Sequence, residues 1–172
     1  VYSVQLGGFD THADEKATQS RLLGELDAAV SAFMQQIDAG PRAKDVVVAL
    51  YSEFGRRVAA NGSQGTDHGT ASNIFVLGHA VKGGMYGDQP SLTDLSMDDL
   101  KYNVDFRSVY ATLLSGVLGA DPGQVLGKGA FAPCPVPQTL RRLDSPALLI
   151  QHGVPAPELQ PAIDAFARVA DE

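Results

Sequence analysis

A succession of strand, long helix and strand constrains the fold of this chain more than any other feature. Between Asp14 and Asp38 the apolar residues recur at spacings of one, three and four, which is typical of an amphipathic helix. The run "DVVVALYS" at 45–52 is continuously apolar, as strands buried on both faces of a parallel sheet are. The alternating "VYSVQL" at 1–6 predicts a strand before the helix. This βαβ pattern predicts an α/β fold, in three α/β/α layers around a mostly parallel sheet.

Three further elements are predicted beyond this unit. The segment "NIFVLG" at 73–78 is typical of a third strand, and a short helix is expected at 97–102. Asp105 is a plausible N-cap for a helix that Gly119 ends. We therefore expect one α/β domain over residues 1–133.

The remaining residues, 134–172, form a proline-rich tail. Its prolines restrict "PALLIQHG" to an edge strand or docked coil, and residues 158–170 have the apolar spacing of a terminal helix. We expect this tail to pack on the domain.

The charge of the chain excludes some classes of partner. A net charge of -7 and two isolated arginine pairs give no basic patch for a nucleic acid. The apolar runs are far shorter than the roughly 20 residues that a membrane span needs. The chain opens directly on a strand-like segment, so we expect a preceding segment to complete the sheet.

Acidic and imidazole side chains follow the first two predicted strands. Asp10 and His12 follow the first strand, Glu53 follows the second, and Asp67 with His68 lie in the glycine-rich loop beyond it. Because loops at the carboxyl edge of a parallel sheet converge, these groups are expected to meet.

A divalent cation would explain such a cluster, since carboxylates brought within a few Å of one another repel unless a cation lies between them. Mixed carboxylate and imidazole ligands suit Zn, Mn or Fe. Gly65 and Gly69 flank "TDH" and would let consecutive side chains face one ion. Arg56, Arg57 and Lys82 are candidates to hold an anionic substrate, and the arginines would bind it through paired N–H groups.

Simpler readings of the same residues stay open at this point. Asp67 and His68 could belong to an ordinary turn. Asp10 or Thr11 could cap the long helix. Glu53 and Arg56 could form a surface ion pair.

Six segments in order carry a resemblance to a known family: "GGFDTH", a helix, "SEFGRR", "NGSQGTDHG", "VKGGMYG" and "VDFRSVYATLL". Together they resemble the domain of unknown function 1501 family, which is similar in turn to the alkaline-phosphatase-like (sulfatase-like) superfamily. The resemblance covers about residues 3–133.

The superfamily resemblance implies a metal-dependent hydrolase of small phosphate or sulfate esters, with Zn or Mn as the first choices of metal. It implies Asp10, His12, Asp67 and His68 as metal ligands, Glu53 as a ligand or base, and Arg56 as the anion clamp. His79 is the nearest option for a further histidine ligand.

The resemblance also implies an upstream half that carries the nucleophile and a further aspartate, so this chain would be a carboxyl-terminal part. Export of the parent would place it in the periplasm or outside the cell. The alternative function is a non-catalytic binding or scaffold module of the cell envelope that keeps the fold with an incomplete site.

Overall fold

The computed structural model of the chain describes residues 1–127 and Cys134. Within that part the chain forms three α-helices, one short 3-10 helix and four short strands. In chain order these are α1 (Glu15–Asp38), the 3-10 helix (Ala43–Asp45), β1 (Val48–Leu50), β2 (Gly55–Arg56), β3 (His68–Gly69), β4 (Phe75–Leu77), α2 (Phe106–Gly116) and α3 (Pro122–Leu126). In this part, no helix combines the length and the apolar character needed to cross a membrane.

The long helix α1 confirms the amphipathic helix that was predicted. Leu22, Ala29 and Ile37 are seven or eight positions apart and at most 4% exposed, because residues two turns apart lie on the same helix face. Asp14 occupies the N-cap position with a left-handed backbone (φ 46°), and its side chain makes no capping hydrogen bond. The reading of Asp10 or Thr11 as the cap is therefore wrong.

The apolar core of the described part lies where α1 ends. Ile37 and Val46 are buried there, and Phe33, Ala43 and Val48 pack against them. This packing fixes the start of β1 against the last turns of α1. The polar loops that carry the candidate site lie at the other, amino-terminal end of α1.

The strands pair as two antiparallel sheets of two strands each. Val48 of β1 lies opposite Leu77 of β4, and Arg56 of β2 lies opposite His68 of β3. The predicted strands at 45–52 and 73–78 thus form in part, but they run in opposite directions and β1 is only half-buried. The chain between them contains no helical crossover, which a parallel pair needs. The described part contains no parallel pair, and the three-layer architecture around a mostly parallel sheet stays a prediction.

Two other predicted elements do not form within the described residues. Residues 1–6 belong to no strand, and Val4 is 53% exposed; an alternating pattern makes a strand only where another strand accepts its backbone hydrogen bonds. The predicted helix at 97–102 is replaced by a tight turn, because Met97 and Asp98 have left-handed φ values of 52° and 67° that an α-helix does not accommodate.

The second long helix, α2, confirms both the predicted helix and its cap. The carboxylate of Asp105 accepts from the backbone N–H of Arg107, as an N-cap does. Cys134 is buried, and its backbone N–H donates to the hydroxyl of Thr112 at 3.0 Å. The predicted tail strand, the terminal helix and the boundary at 133/134 lie outside the described residues.

Acid is expected to destabilise the chain partly through Asp105. Hydrogen bonds from the Arg107 side chain and backbone lower the pKa of Asp105 from 3.8 to about 2. Because the folded-state pKa lies below the unfolded value, this contribution to stability is present above pH 4 and is lost as the pH falls from 4 towards 2. Asp105→Asn keeps a capping oxygen but does not titrate. Urea unfolding from pH 2 to pH 6 should show a smaller acid-induced fall in the midpoint for the variant, and equal falls would contradict the prediction.

Candidate metal centre

Two polar loops meet at the amino-terminal end of α1. The first loop, residues 9–14, leads into the helix, and the second, residues 57–67, joins β2 to β3. Ala13 and Gln64 form an isolated antiparallel bridge between the loops. The backbone N–H of Asp14 donates to the carbonyl of Ser63 at 3.1 Å. The two loops are therefore tied together through their main chains, before any side chain contributes.

Gly65 makes this close approach possible. A Cβ atom at this position would lie 2.4 Å from the carbonyl carbon of His12 and 2.7 Å from the backbone nitrogen of Ala13. These are backbone atoms, so a larger residue would have to push the two loops apart. The sequence predicted a special role for Gly65 through the turn, and the structure gives it one through contact with the first loop.

Three predicted site residues converge on one point. Oδ1 of Asp10 lies 3.1 Å from Nε2 of His12 and 2.7 Å from Nε2 of His68. The two imidazole rings are 4.8 Å apart between centroids and tilted by 35°. One carboxylate oxygen thus lies between two imidazole nitrogens that come from different loops.

The residue types and the closeness of these three atoms suit a metal ion. Ligand nitrogens and oxygens lie about 2.0–2.2 Å from Zn²⁺, so two ligands of a tetrahedral ion are roughly 3.3 Å apart. The separations of 3.1 and 2.7 Å are those of hydrogen bonds and lie below that value, and all three candidate ligand atoms lie within 4.8 Å of one another. Two histidines and one carboxylate are also the ligand set of many catalytic zinc and non-haem iron sites. The residues present therefore fit a divalent cation.

Asp67 is brought to the site but occupies a different place from the predicted ligand position. Its Oδ1 lies 3.2 Å from Nδ1 of His12, on the side of the ring away from Asp10. Asn61 donates to the same oxygen at 3.1 Å. In this position Asp67 contacts His12, one of the candidate ligands, and its carboxylate is not one of the three clustered atoms.

The charges of the cluster are arranged favourably. The hydrogen bond with His68 is the main cause that lowers the pKa of Asp10, and the hydrogen bond from Asn61, followed by that with His12, lowers the pKa of Asp67. Both carboxylates are thereby held ionised, which is the form that binds a cation or orients an imidazole.

Phe54 is a site residue that the sequence did not reveal. Its ring stacks on the imidazole of His68, with 3.7 Å between centroids and 12° between planes. The guanidinium carbon of Arg56 lies 5.1 Å from the centre of the Phe54 ring. An aromatic residue just beyond a predicted strand is usually assigned to the core, so only the β2–β3 pairing could have indicated this stacking.

Arg56 joins the two loops through its terminal N–H groups, which are therefore already used within the protein and not left for the predicted anion clamp. Its two terminal nitrogens donate to the carbonyls of Phe9, Thr11 and Thr66 and to the Thr11 hydroxyl. Its Nε lies 3.7 Å from the carboxylate of Glu15. The four hydrogen bonds use the four N–H groups of the terminal nitrogens, and the carboxylate of Glu15 lies nearest the remaining one. The structure gives Arg56 a positioning role.

The other predicted site residues lie apart from the three ligand atoms. Glu53 is exposed and makes no hydrogen bond or ion pair with the described residues, so the surface pair with Arg56 does not form. Nε2 of His79 lies 2.8 Å from a carboxylate oxygen of Asp38, at the far end of α1. His79 is therefore not a further ligand of this cluster.

Comparison with known protein families agrees with the resemblance in the motifs. The family model described as "Protein of unknown function (DUF1501)" matches residues 1–135 of the 172 in the chain. The chain belongs to the DUF1501 family. No curated protein and no solved structure matches it. All three ligand residues of the cluster lie within the matched region, so the candidate metal centre is part of the DUF1501 portion of the chain.

Proposed function

We propose that this DUF1501 protein is a metal-dependent hydrolase-like domain that acts on phosphate or sulfate esters. Asp10, His12 and His68 would hold the divalent cation, with Zn²⁺ or Mn²⁺ as the first choice. The convergence of these three side chains from two loops is the observation that carries the proposal. The ester class is supported by the resemblance of the motifs to the alkaline-phosphatase-like superfamily.

The protein's own groups have distinct tasks in this proposal. His12 and His68 would offer imidazole nitrogens, and Asp10 would offer a negative charge that balances part of the charge of the cation. Three protein ligands leave further positions open, as catalytic sites do. A bound divalent ion would polarise a phosphoryl or sulfuryl oxygen and lower the pKa of a bound water. The side chains of Asp10, His12 and His68 are 67%, 49% and 44% exposed, so an ester can reach them from solvent.

Two flanking residues complete the proposal. Glu53 remains the proposed base, because it directly precedes Phe54, whose ring lies on His68. Arg57 takes over the proposed contact with the anion. Its side chain is 41% exposed beside Asp99, and its backbone N–H donates to the carbonyl of Asp67 at 3.0 Å. We also propose a periplasmic or secreted location, which rests on the family resemblance alone.

Metal content provides the first test. Protein that has been dialysed against metal-free buffer and then against equimolar Zn²⁺, Mn²⁺ and Fe²⁺ under anaerobic conditions should retain close to one equivalent of one of them. Elemental mass spectrometry measures the content, and an Asp10→Ala variant prepared in parallel is the comparison. Retention that is equally high in the variant, or absent from both, would contradict the proposed centre.

Turnover provides the second test and separates the proposed hydrolase from the scaffold module. The metal-loaded chain should hydrolyse 4-nitrophenyl phosphate or 4-nitrophenyl sulfate, chelator should abolish this activity, and the retained metal should restore it. Protein that binds metal stoichiometrically without hydrolysing either ester would support the non-catalytic alternative.

The same assay should be repeated with Glu53→Gln, which is expected to reduce kcat without changing metal content.

A further inference from the structure

The ring of Phe54 covers one face of the His68 imidazole. The two ring centroids are 3.7 Å apart and the ring planes differ by only 12°, so the rings lie almost parallel. Nε2 of His68 lies 2.7 Å from Oδ1 of Asp10, while 44% of the His68 side chain is exposed. A side chain with this exposure can visit several staggered rotamers. A ring that lies against one of its faces restricts that choice.

The register of β2 and β3 places the two rings on the same side of the strand pair. Arg56 lies directly opposite His68, and opposite residues of an antiparallel pair have their side chains on one face. Phe54 precedes Arg56 by two positions, which is the spacing of side chains on one face of an extended chain. The guanidinium carbon of Arg56 lies 5.1 Å from the centre of the Phe54 ring. The stacking therefore follows from the strand register.

The backbone around Phe54 is fixed by its neighbours. The carbonyl of Phe54 accepts a hydrogen bond from the Ser52 hydroxyl at 2.7 Å. The next residue, Gly55, is buried, and a Cβ atom there would lie 1.8 Å from the carbonyl oxygen of Ala71. Arg56 follows and donates to carbonyls of both loops. Phe54 is therefore a firmly held surface for the imidazole.

We propose that Phe54 is a positioning residue that holds the His68 imidazole in the rotamer whose Nε2 faces Asp10. The stacked ring orders this side chain in the metal-free chain, so less conformational freedom is lost when an ion binds. The effect on the rotamer belongs to the metal-free chain, whereas the consequence for metal affinity rests on the proposed function.

The rotamer can be measured by NMR without any metal. In the metal-free protein, the couplings between the Hα and Hβ protons of His68 should indicate one dominant χ1 rotamer, and the ring current of Phe54 should shift the imidazole protons upfield. Phe54→Leu keeps an apolar side chain but removes the ring, so at the same pH the couplings should become averaged and the imidazole protons should move downfield. Phe54→Tyr retains the ring and should keep both values. Couplings that are unchanged in Phe54→Leu would overturn the proposal.

Phe106→Leu is the matched control. Phe106 also contacts a ring and an arginine, with 5.5 Å between its centroid and that of Tyr110 and 5.7 Å to the guanidinium carbon of Arg107, but it lies on α2. The couplings and imidazole shifts of His68 should stay at their wild-type values. A change as large as that in Phe54→Leu would reflect general loosening of the fold and would overturn the specific role.

Metal affinity provides the second readout. Competition with a chromophoric chelator should show affinity for Zn²⁺ lowered about 2- to 10-fold by Phe54→Leu, which corresponds to the free energy of one aromatic pair. Phe54→Tyr and Phe106→Leu should bind as the wild type does. Wild-type affinity in Phe54→Leu despite averaged couplings would overturn the link to metal binding. If the wild-type chain binds no metal, the proposed function fails, while the couplings still decide the positioning role.

Near-ultraviolet circular dichroism of each variant verifies that the fold is retained. If Phe54→Leu does not fold, Phe54→Met takes its place, because it also lacks a ring and its flexible side chain fills a similar space.

Discussion

The double substitution His12→Ala and His68→Ala should abolish stoichiometric binding of Zn²⁺ or Mn²⁺. Loss of a residue that merely orients a ligand costs about 10- to 100-fold in affinity, and here two of the three ligand groups are removed directly. We therefore expect each single variant to lose more than 100-fold and the double variant to retain only nonspecific binding. Isothermal titration calorimetry of the purified chain measures both values.

His79→Ala is the matched control for this experiment. It removes an equally exposed imidazole that lies beside a carboxylate, Asp38, at 2.8 Å, but at the opposite end of α1. Affinity should stay at the wild-type value. A loss in His79→Ala comparable to that in the other two variants would show that binding reflects exposed histidines in general.

Gly55→Ala should cause the largest loss of stability among the glycine substitutions. A Cβ atom at this position would lie 1.8 Å from the carbonyl oxygen and 2.5 Å from the carbonyl carbon of Ala71. Both are backbone atoms, so β2 must move away from the segment that follows β3 to accept the methyl group. We expect a decrease in the free energy of unfolding of about 3 kcal/mol, the upper part of the usual range for overpacking. The midpoint of urea unfolding measures it.

Gly62→Ala provides the comparison, because a Cβ atom there would meet nothing within 4 Å. Its unfolding midpoint should stay close to that of the wild type. If Gly55→Ala were equally harmless, the close approach of β2 to the segment that follows β3 would be refuted. The same pair of variants separates effects of packing from the general effect of replacing glycine in a loop.

The parts of the fold that were predicted correctly depend on local patterns. The periodicity of α1 and the capping carboxylate of Asp105 are properties of neighbouring residues, and both were confirmed. Strand pairing depends on which distant segment of the chain forms the neighbouring strand. The alternation at 1–6 could not reveal that no strand forms there, nor could the valines before β1 reveal an antiparallel partner in β4.

For the candidate site, too, only part of the arrangement could be predicted from the sequence. Residue types and loop positions were sufficient to bring Asp10, His12 and His68 together. The separate position of Asp67 depends on the direction of its side chain, because consecutive residues in an extended segment point to opposite sides. Spacing alone therefore could not distinguish a side chain of the three-residue cluster from one that contacts the cluster at its edge.

The same limit explains the change of role for Arg56. A guanidinium near a predicted anion site is a reasonable anion contact, but in the folded chain the carbonyls of both loops occupy its N–H groups. The directions of these carbonyl groups depend on how the two loops pack together, so they cannot be predicted from the spacing of residues in the sequence.

The exposure of the proposed metal centre affects how the protein should be handled. With about half or more of the side chains of Asp10, His12 and His68 in contact with solvent, an ion bound in the proposed centre would leave or be replaced while the helices stay folded. Chelating resins, phosphate buffers or a polyhistidine tag could therefore empty or exchange the centre during purification. The metal found at the end would then reflect the last solution that the protein met, so loading under defined conditions should precede any assay.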